Sequence, residues 1–171
     1  TGLVGYTTQK QQNGSNYLSS RSYPNNLVYT LNAVSNVLYQ GDSDESEWSL
    51  ISYLARINYN YKNKYYITAS MRTDGSSRFG RDKKYGYFPS AAIAWRSSDE
   101  NFLKDIGIIS DIKLRASYGE TGNNNIGNYA HIATISYESY VFGGSSVGGF
   151  APNNFENTLL TWEKQRSLNW G

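Results

Sequence analysis

Hydrophobic and polar residues alternate most regularly along residues 65–74 of this chain. Odd-numbered positions there are mainly apolar, as at Ile67, whereas even-numbered positions are mainly polar or charged, as at Arg72. Because successive side chains of a β-strand point to opposite sides of the sheet, this pattern predicts a strand with one apolar and one polar face. The Asp74-Gly75 pair then predicts a turn.

The same alternation recurs along the chain and predicts an all-β fold of antiparallel, up-and-down strands. We expect six strands, at approximately residues 2–9, 48–61, 65–74, 87–96, 111–121 and 160–170. The segment from Ser97 to Glu100 has the pattern of a capping box, which predicts one short helical turn near 98–103. Long and short connections alternate between the strands, so we expect the long loops, including 10–23 and 40–47, at one end of the sheet.

An apolar face on such strands has two explanations. In a soluble β-sandwich the face packs against a second sheet, whereas in an outer-membrane β-barrel it meets lipid and the polar face lines a hydrated lumen. The uneven loops, and the Tyr and Trp residues near the strand ends, favour transmembrane barrel strands. A soluble β-sheet module that binds carbohydrate or acts as an adhesin remains the alternative.

The barrel interpretation assigns individual side chains to two environments. The residues expected to face lipid are Ile51, Ile57, Ile67, Ile93 and Leu114. The residues expected to face the lumen are Arg56, Arg72, Lys113 and Arg115.

The composition argues against several classes of function. The chain has 171 residues, no Cys, one His and a formal net charge of +2. Disulfides and thiolate metal sites are therefore excluded, and so small a charge gives no reason to expect nucleic acid binding. No pair of carboxylates can be argued to form a glycosidase site, and neither an activated nucleophile nor a Gly-Lys-Ser/Thr phosphate loop is apparent. We therefore expect no enzyme, no catalytic residue, no metal and no cofactor.

Aromatic residues in the Gly-, Asn- and Ser-rich stretch 119–157 are the better candidates for function. Aromatic rings stack on sugar rings and on peptide side chains, while neighbouring Asn and Ser residues supply hydrogen bonds. The same rings also serve to pack loops together or to contact a partner protein, so both roles stay open. The candidate ligand-binding residues are Tyr129, Tyr137, Tyr140, Phe142 and Phe150.

Several motifs occur together in a fixed order. They are N-Y-x-Y-x-x-K-Y at 58–65, S-x-R-x-D-G-S-S-R-F-G at 70–80, F-P-S-x-A-x-A-W at 88–95, I-S-D-I-K-L-R-A-S-Y-G-x-T-G-N at 109–123 and L-x-W-E-K at 160–164. This series resembles the SusC/RagA family of TonB-linked outer-membrane transporters of Bacteroidetes.

The resemblance implies a 22-stranded barrel in the cell outer membrane, with a plug domain on its N-terminal side. It also implies energy from a TonB complex, a SusD-like surface lipoprotein as lid, and glycan or peptide substrates. The sequence covers only about six of these strands, and the plug, the TonB-binding segment and a signal peptide have no counterpart in it. We therefore expect part of a barrel that is not transport-competent alone.

Overall fold

The structure, a computed structural model, describes residues 1–20, 23, 25–27, 30–31, 38–104 and 111–171. Within this part of the chain the strands are β1 (Gly2–Ser20), β2 (Leu38–Tyr61), β3 (Tyr65–Ser76), β4 (Tyr85–Arg96), β5 (Lys113–Asn123), β6 (Thr134–Phe142), β7 (Ser145–Asn154) and β8 (Glu163–Trp170). Two 3-10 turns at Arg81–Lys83 and Ser97–Asp99 and a short helix α1 at Asn101–Lys104 complete the described elements. None of these helical segments is long and apolar enough to cross a membrane.

The strands form a six-stranded sheet in the order β1-β2-β3-β4-β5-β8 and a separate two-stranded sheet of β6 and β7. Every strand pair with a described register is antiparallel. The all-β, antiparallel fold class predicted from the alternation is therefore confirmed, as is a short helical turn close to residues 98–103.

The chain divides into two compact units, one of which is Lys10–Trp48. Loops were expected over 10–23 and 40–47, but β1 continues to Ser20 and β2 already begins at Leu38, so this prediction was wrong. The two strands are joined there by polar contacts: Lys10 Nζ lies 2.8 Å from a Glu47 carboxylate oxygen, and Trp48 Nε1 donates to Gln11 Oε1 at 3.2 Å. Both faces are polar, so no hydrophobic alternation marks these strand segments.

In the other unit, Thr1–Gln9 with Ser49–Gly171, strand pairing gathers the apolar positions on one side of the sheet. Ile67 of β3 lies opposite Tyr59 of β2 and Ile93 of β4, and Trp95 of β4 lies opposite Leu114 of β5. Cross-strand partners point to the same side, so these residues define one surface, which we call the apolar face. The residues on it include all five that were predicted to face lipid: Ile51, Ile57, Ile67, Ile93 and Leu114.

The apolar face has little protein cover. Ile57 is 65% exposed, Ile67 48%, Ile93 59% and Leu114 51%. A β-sandwich would bury these side chains against a second sheet. The exposure of these side chains favours the barrel interpretation over a self-contained sandwich.

The opposite side of the sheet is the polar face. Ser70 of β3 lies opposite Arg56 of β2 and Ser90 of β4, which places these polar side chains together. Arg72 donates from Nε to both carboxylate oxygens of the buried Asp74 at 2.8 Å. The four residues predicted to face a lumen all lie on this side: Arg56, Arg72, Lys113 and Arg115.

Three aromatic side chains form the buried hydrophobic core of the described residues. Phe79 is 0% exposed, Phe88 5% and Trp162 7%. The Trp162 ring centroid lies 5.3 Å from those of both Phe79 and Phe88. Gly86 and Gly122 border the Phe88 ring so closely that a Cβ on either would clash with it. This cluster holds together the connection after β3, strand β4 and the residue just before β8.

A polar cluster lies at the other end of the same strands, around Glu100. The Glu100 carboxylate accepts hydrogen bonds from the Tyr65 hydroxyl at 2.8 Å and from Lys64 Nζ at 3.1 Å, and Trp95 Nε1 donates to it at 3.4 Å. The Tyr65 hydroxyl first, and then the Lys64 ammonium, holds the pKa of the Glu100 carboxyl below its ordinary value. The contacts tie the residues after β4 to the β2–β3 turn.

Truncation of the buried ring of Phe79 tests the importance of the aromatic cluster. We expect Phe79→Ala to lower the free energy of unfolding by about 3–5 kcal/mol, because the change removes a buried ring and leaves a cavity. Phe155→Ala is the matched control, since Phe155 is 86% exposed. Urea unfolding followed by tryptophan fluorescence measures both variants. Equal stability of the two variants would contradict the assignment of the core.

Candidate ligand-binding site at the loop end of the sheet

The connections of the large sheet emerge at two opposite ends. Because neighbouring strands are antiparallel, connections 77–84 and 124–162 share one end, which we call the loop end. Connections 62–64 and 97–112 share the other, which we call the turn end. The longest of these four connections, 124–162, lies at the loop end and carries all the candidate ligand-binding residues.

Arg78 joins the two connections of the loop end. Its Nε donates to Asn128 Oδ1 at 3.0 Å and its Nη1 to the backbone oxygen of Asn124 at 3.2 Å. The backbone oxygen of Arg78 lies 3.0 Å from His131 Nδ1. Asn124 Nδ2 also donates to Ser76 Oγ at 3.2 Å. The S-S-R-F-G motif therefore fixes the first residues of the long connection through hydrogen bonds, and the lone His serves this structural purpose.

The long connection contains the β6–β7 hairpin. Its two-residue turn is Gly143-Gly144, and both glycines have positive φ, 57° and 81°. A type I′ turn requires positive φ at both central positions, which glycine adopts without a steric penalty. Within the described chain β6 and β7 pair only with each other. The six strands expected from the sequence include neither β6 nor β7, and the Gly- and Ser-rich sequence of β7 has no alternation.

The structure brings two of the candidate aromatic residues together. Tyr137 of β6 lies opposite Phe150 of β7, and their ring centroids are 5.9 Å apart in an edge-to-face arrangement. Both remain open to solvent, with exposed fractions of 66% and 71%. Gly148 has no Cβ to clash with the Tyr137 hydroxyl, so the ring lies across the backbone of β7.

The other three candidates lie elsewhere. Tyr140 and Phe142 are also on β6, but alternation places them on the reverse side of the hairpin from Tyr137. Tyr129 precedes β6 and adopts a positive φ of 64°. The structure thus separates the five aromatic residues into one edge-to-face pair, two residues behind it and one near the Arg78 contacts.

Two residues on the Tyr137 side of the hairpin were not among the candidates predicted from the sequence. Ile135 and Val141 share this side by alternation and are 70% and 76% exposed. The spacing 135, 137, 141 was the signal that could have identified them. Together with Tyr137 and Phe150 they form what we call the hairpin face, an exposed apolar and aromatic surface.

The described residues contain no group of three or more His, Asp or Glu side chains placed to hold a metal ion. The arrangement at the loop end is suited to non-covalent binding, because it combines a base held by hydrogen bonds around Arg78 with an exposed aromatic pair. Aromatic faces of this kind recognise sugars and peptide side chains.

No protein-family model matches the chain. A TonB-dependent receptor of Formosa agariphila is 41% identical over 172 residues, which is 100% of this chain and 16% of the receptor. The TonB-dependent receptor SusC of Bacteroides thetaiotaomicron is 43% identical over 128 residues, which is 72% of this chain and 13% of SusC. A solved chain of the RagAB peptide transporter superposes with a TM-score of 0.84 at 29% identity, covering 99% of this chain and 19% of that one.

This chain belongs to the SusC/RagA family of TonB-dependent receptors. The comparisons confirm the resemblance drawn from the motifs at 58–65, 70–80, 88–95, 109–123 and 160–164. The relatives are receptors and transporters rather than enzymes. The chain spans less than a fifth of the length of these SusC/RagA-type relatives.

Removal of the Arg78 side chain tests whether it fixes the long connection. We expect Arg78→Ala to speed hydrogen exchange at least about tenfold at the amides of Ile126, Ala130 and Ile132, because each hydrogen bond from a charged donor contributes about 1.5–3 kcal/mol. Arg81→Ala removes an exposed cation from the same connection and is the control. Hydrogen exchange read by mass spectrometry gives the rates, and similar exchange in the two variants would contradict this role.

Proposed function

We propose that this chain is part of an outer-membrane TonB-dependent importer, with its apolar face against acyl chains and its polar face towards a hydrated lumen. The observation that carries the proposal is the sheet itself: large apolar side chains such as Ile57 and Ile93 are exposed on one side, and cations line the other. Transmembrane barrel strands have this two-sided pattern. The SusC and RagAB relatives support the same assignment.

In this orientation the loop end is extracellular and the turn end is periplasmic. Outer-membrane barrels have short periplasmic turns and longer external loops. Connection 124–162 and its hairpin fit the external side, whereas the three-residue turn 62–64 fits the periplasmic side. Tyr61, Tyr65 and Trp95 lie on the apolar face at the turn end, where an interfacial aromatic belt is expected.

The proposed importer acts with partners that other parts of the protein bind. We infer that a SusD-like lipoprotein covers the external side and that a TonB complex supplies energy through a segment outside this chain. The imported nutrient is a glycan or a peptide; RagAB, a similar protein by structure, is a peptide transporter. This chain alone is not transport-competent, because six strands do not close a barrel.

Within the importer, the hairpin face is the part of this chain that contacts the nutrient. Tyr137 and Phe150 present an edge-to-face pair to solvent, and Ile135 and Val141 extend the apolar surface on both sides of it. Tyr129, Tyr140 and Phe142 are further candidates for contact with the nutrient or with the lid. The base around Arg78 holds the start of the connection that carries the hairpin.

Replacing the aromatic pair tests this role. In the full-length importer we expect the double variant Tyr137→Ser and Phe150→Ser to bind its glycan or peptide at least about tenfold more weakly, because aromatic anchors contribute strongly to recognition. Binding of labelled nutrient to intact cells gives the affinity.

Phe155→Ser is the control, since it also removes an exposed aromatic side chain of the long connection. Immunoblots of outer membranes verify equal amounts of each protein. Unchanged affinity in the double variant at equal abundance would refute a nutrient-binding role for the hairpin face.

A further inference from the structure

Two groups of cations near the loop end of the large sheet have no part in the function proposed so far. The first group is Arg81, Lys83 and Lys84, in and after the 3-10 turn that precedes β4. All three are exposed, and within the described chain none forms an ion pair with a carboxylate. Long cationic side chains in this state are free to meet an anion from outside.

The second group is Lys164 and Arg166 on β8. Leu168 and Trp170 of this strand lie on the apolar face, because they pair with Tyr118 and Ala116 of β5. Arg166 lies two positions beyond Leu168, so alternation keeps it on this side of the sheet. Lys164 follows two positions further, and its Nζ lies 5.7 Å from the centroid of the Phe88 ring. The change from apolar to cationic therefore occurs within about 7 Å along β8, at the end nearest the loops.

Glu120 positions both cations of β8. Its carboxylate oxygens lie 3.0 Å from Arg166 Nε and 3.8 Å from Lys164 Nζ, and it accepts a hydrogen bond from the Tyr118 hydroxyl at 2.6 Å. Within the described chain Arg166 forms no other ion pair with a carboxylate, and its side chain is 71% exposed. The two terminal nitrogens of its guanidinium group remain available to an incoming anion.

The two groups of cations lie beside each other. Trp162 Nε1, just before β8, donates to the backbone oxygen of Lys84 at 3.0 Å, and Lys164 Nζ donates to the backbone oxygen of Tyr87 at 3.2 Å. Tyr85 and Tyr87, each 54% exposed, lie on the apolar face next to these contacts. Five cations against the three carboxylates of Asp82, Glu120 and Glu163 leave this rim positive.

We propose that Arg81, Lys83, Lys84, Lys164 and Arg166 form a binding site for the phosphate groups of an anionic lipid in the outer leaflet. The inference rests on the membrane orientation proposed above. Arginine and lysine are the side chains that bind phosphate best, and arginine does so with paired hydrogen bonds. Acyl chains of the same lipid would lie along Tyr87, Tyr118 and Leu168. The site recognises a lipid rather than a soluble phosphate, because cations and apolar side chains adjoin on one surface.

The test uses the full-length protein reconstituted into vesicles with spin-labelled lipids. The fraction of motionally restricted label measures association, and the ratio of phosphatidic acid to phosphatidylcholine labels measures selectivity for phosphate. We expect the native protein to prefer phosphatidic acid. Because one cation at an anionic lipid surface changes association by up to about fivefold, the double variant Lys164→Gln and Arg166→Gln is expected to lose most of this preference.

The matched control is the double variant Arg56→Gln and Lys62→Gln, which removes the same charge from the polar face and the turn end. It should keep the native preference, and added salt should weaken the preference of the native protein. The lipid site is refuted if the Lys164 and Arg166 variant remains selective, or if inorganic phosphate displaces the labelled lipid. The lipid site is also refuted if the substitutions leave the lipid preference unchanged and weaken only the binding of an acidic partner protein.

The same experiment distinguishes failure of this inference from failure of the membrane orientation. Restricted phosphatidylcholine without any preference for phosphatidic acid would refute the phosphate site and leave the orientation intact. If neither phosphatidic acid nor phosphatidylcholine is motionally restricted, the phosphate site and the membrane orientation are both refuted.

Discussion

The arrangement depends on the solvation of one surface, the apolar face of the six-stranded sheet. Burying apolar surface is worth about 25 cal/mol per Å², so a face carrying Ile57, Ile93 and Trp170 is unfavourable in water and favourable in a hydrocarbon environment. Strand register decides which residues occupy that face. A slip of one residue between two strands would bring cations such as Arg72 into it. The strand register and the hydrocarbon environment of the apolar face are therefore linked. The cations of the polar face constrain the register as strongly as the apolar side chains on the opposite side do.

The loop end follows a different principle, because its order comes from a few specific contacts rather than from a large core. Trp162 is far along the sequence from Phe79 and Phe88, yet the three rings pack as one cluster. Arg78 adds hydrogen bonds to the first residues of the long connection. The hairpin that this connection carries keeps both outer strand edges unpaired within the described residues. A base held by packing and hydrogen bonds, with an exposed aromatic element, suits a surface that recognises molecules from outside.

The sequence predicted the fold wherever one face is apolar and the other polar. The strand at 65–74 and its partner at 87–96 appear as β3 and β4, because Ile67 and Ile93 alternate with polar neighbours. Prediction failed where this contrast is missing. The polar segments of β1 and β2 within Lys10–Trp48 are joined by side-chain hydrogen bonds. Strand β7 follows a glycine turn and packs against the Tyr137 ring at Gly148 and the Tyr140 ring at Gly149. The aromatic candidates could be named from composition, but the pairing of Tyr137 with Phe150 depends on the register.

Site-directed spin labelling of the full-length protein in its membrane tests the central claim most directly. Labels would replace Ile57, Ile67, Ile93 and Leu114 on one face and Arg56, Arg72 and Arg115 on the other. The account predicts that oxygen, which partitions into lipid, relaxes the first set, whereas a water-soluble nickel complex relaxes the second. Strong relaxation of the arginine positions by oxygen, or protection of the isoleucine positions from both reagents, would contradict it.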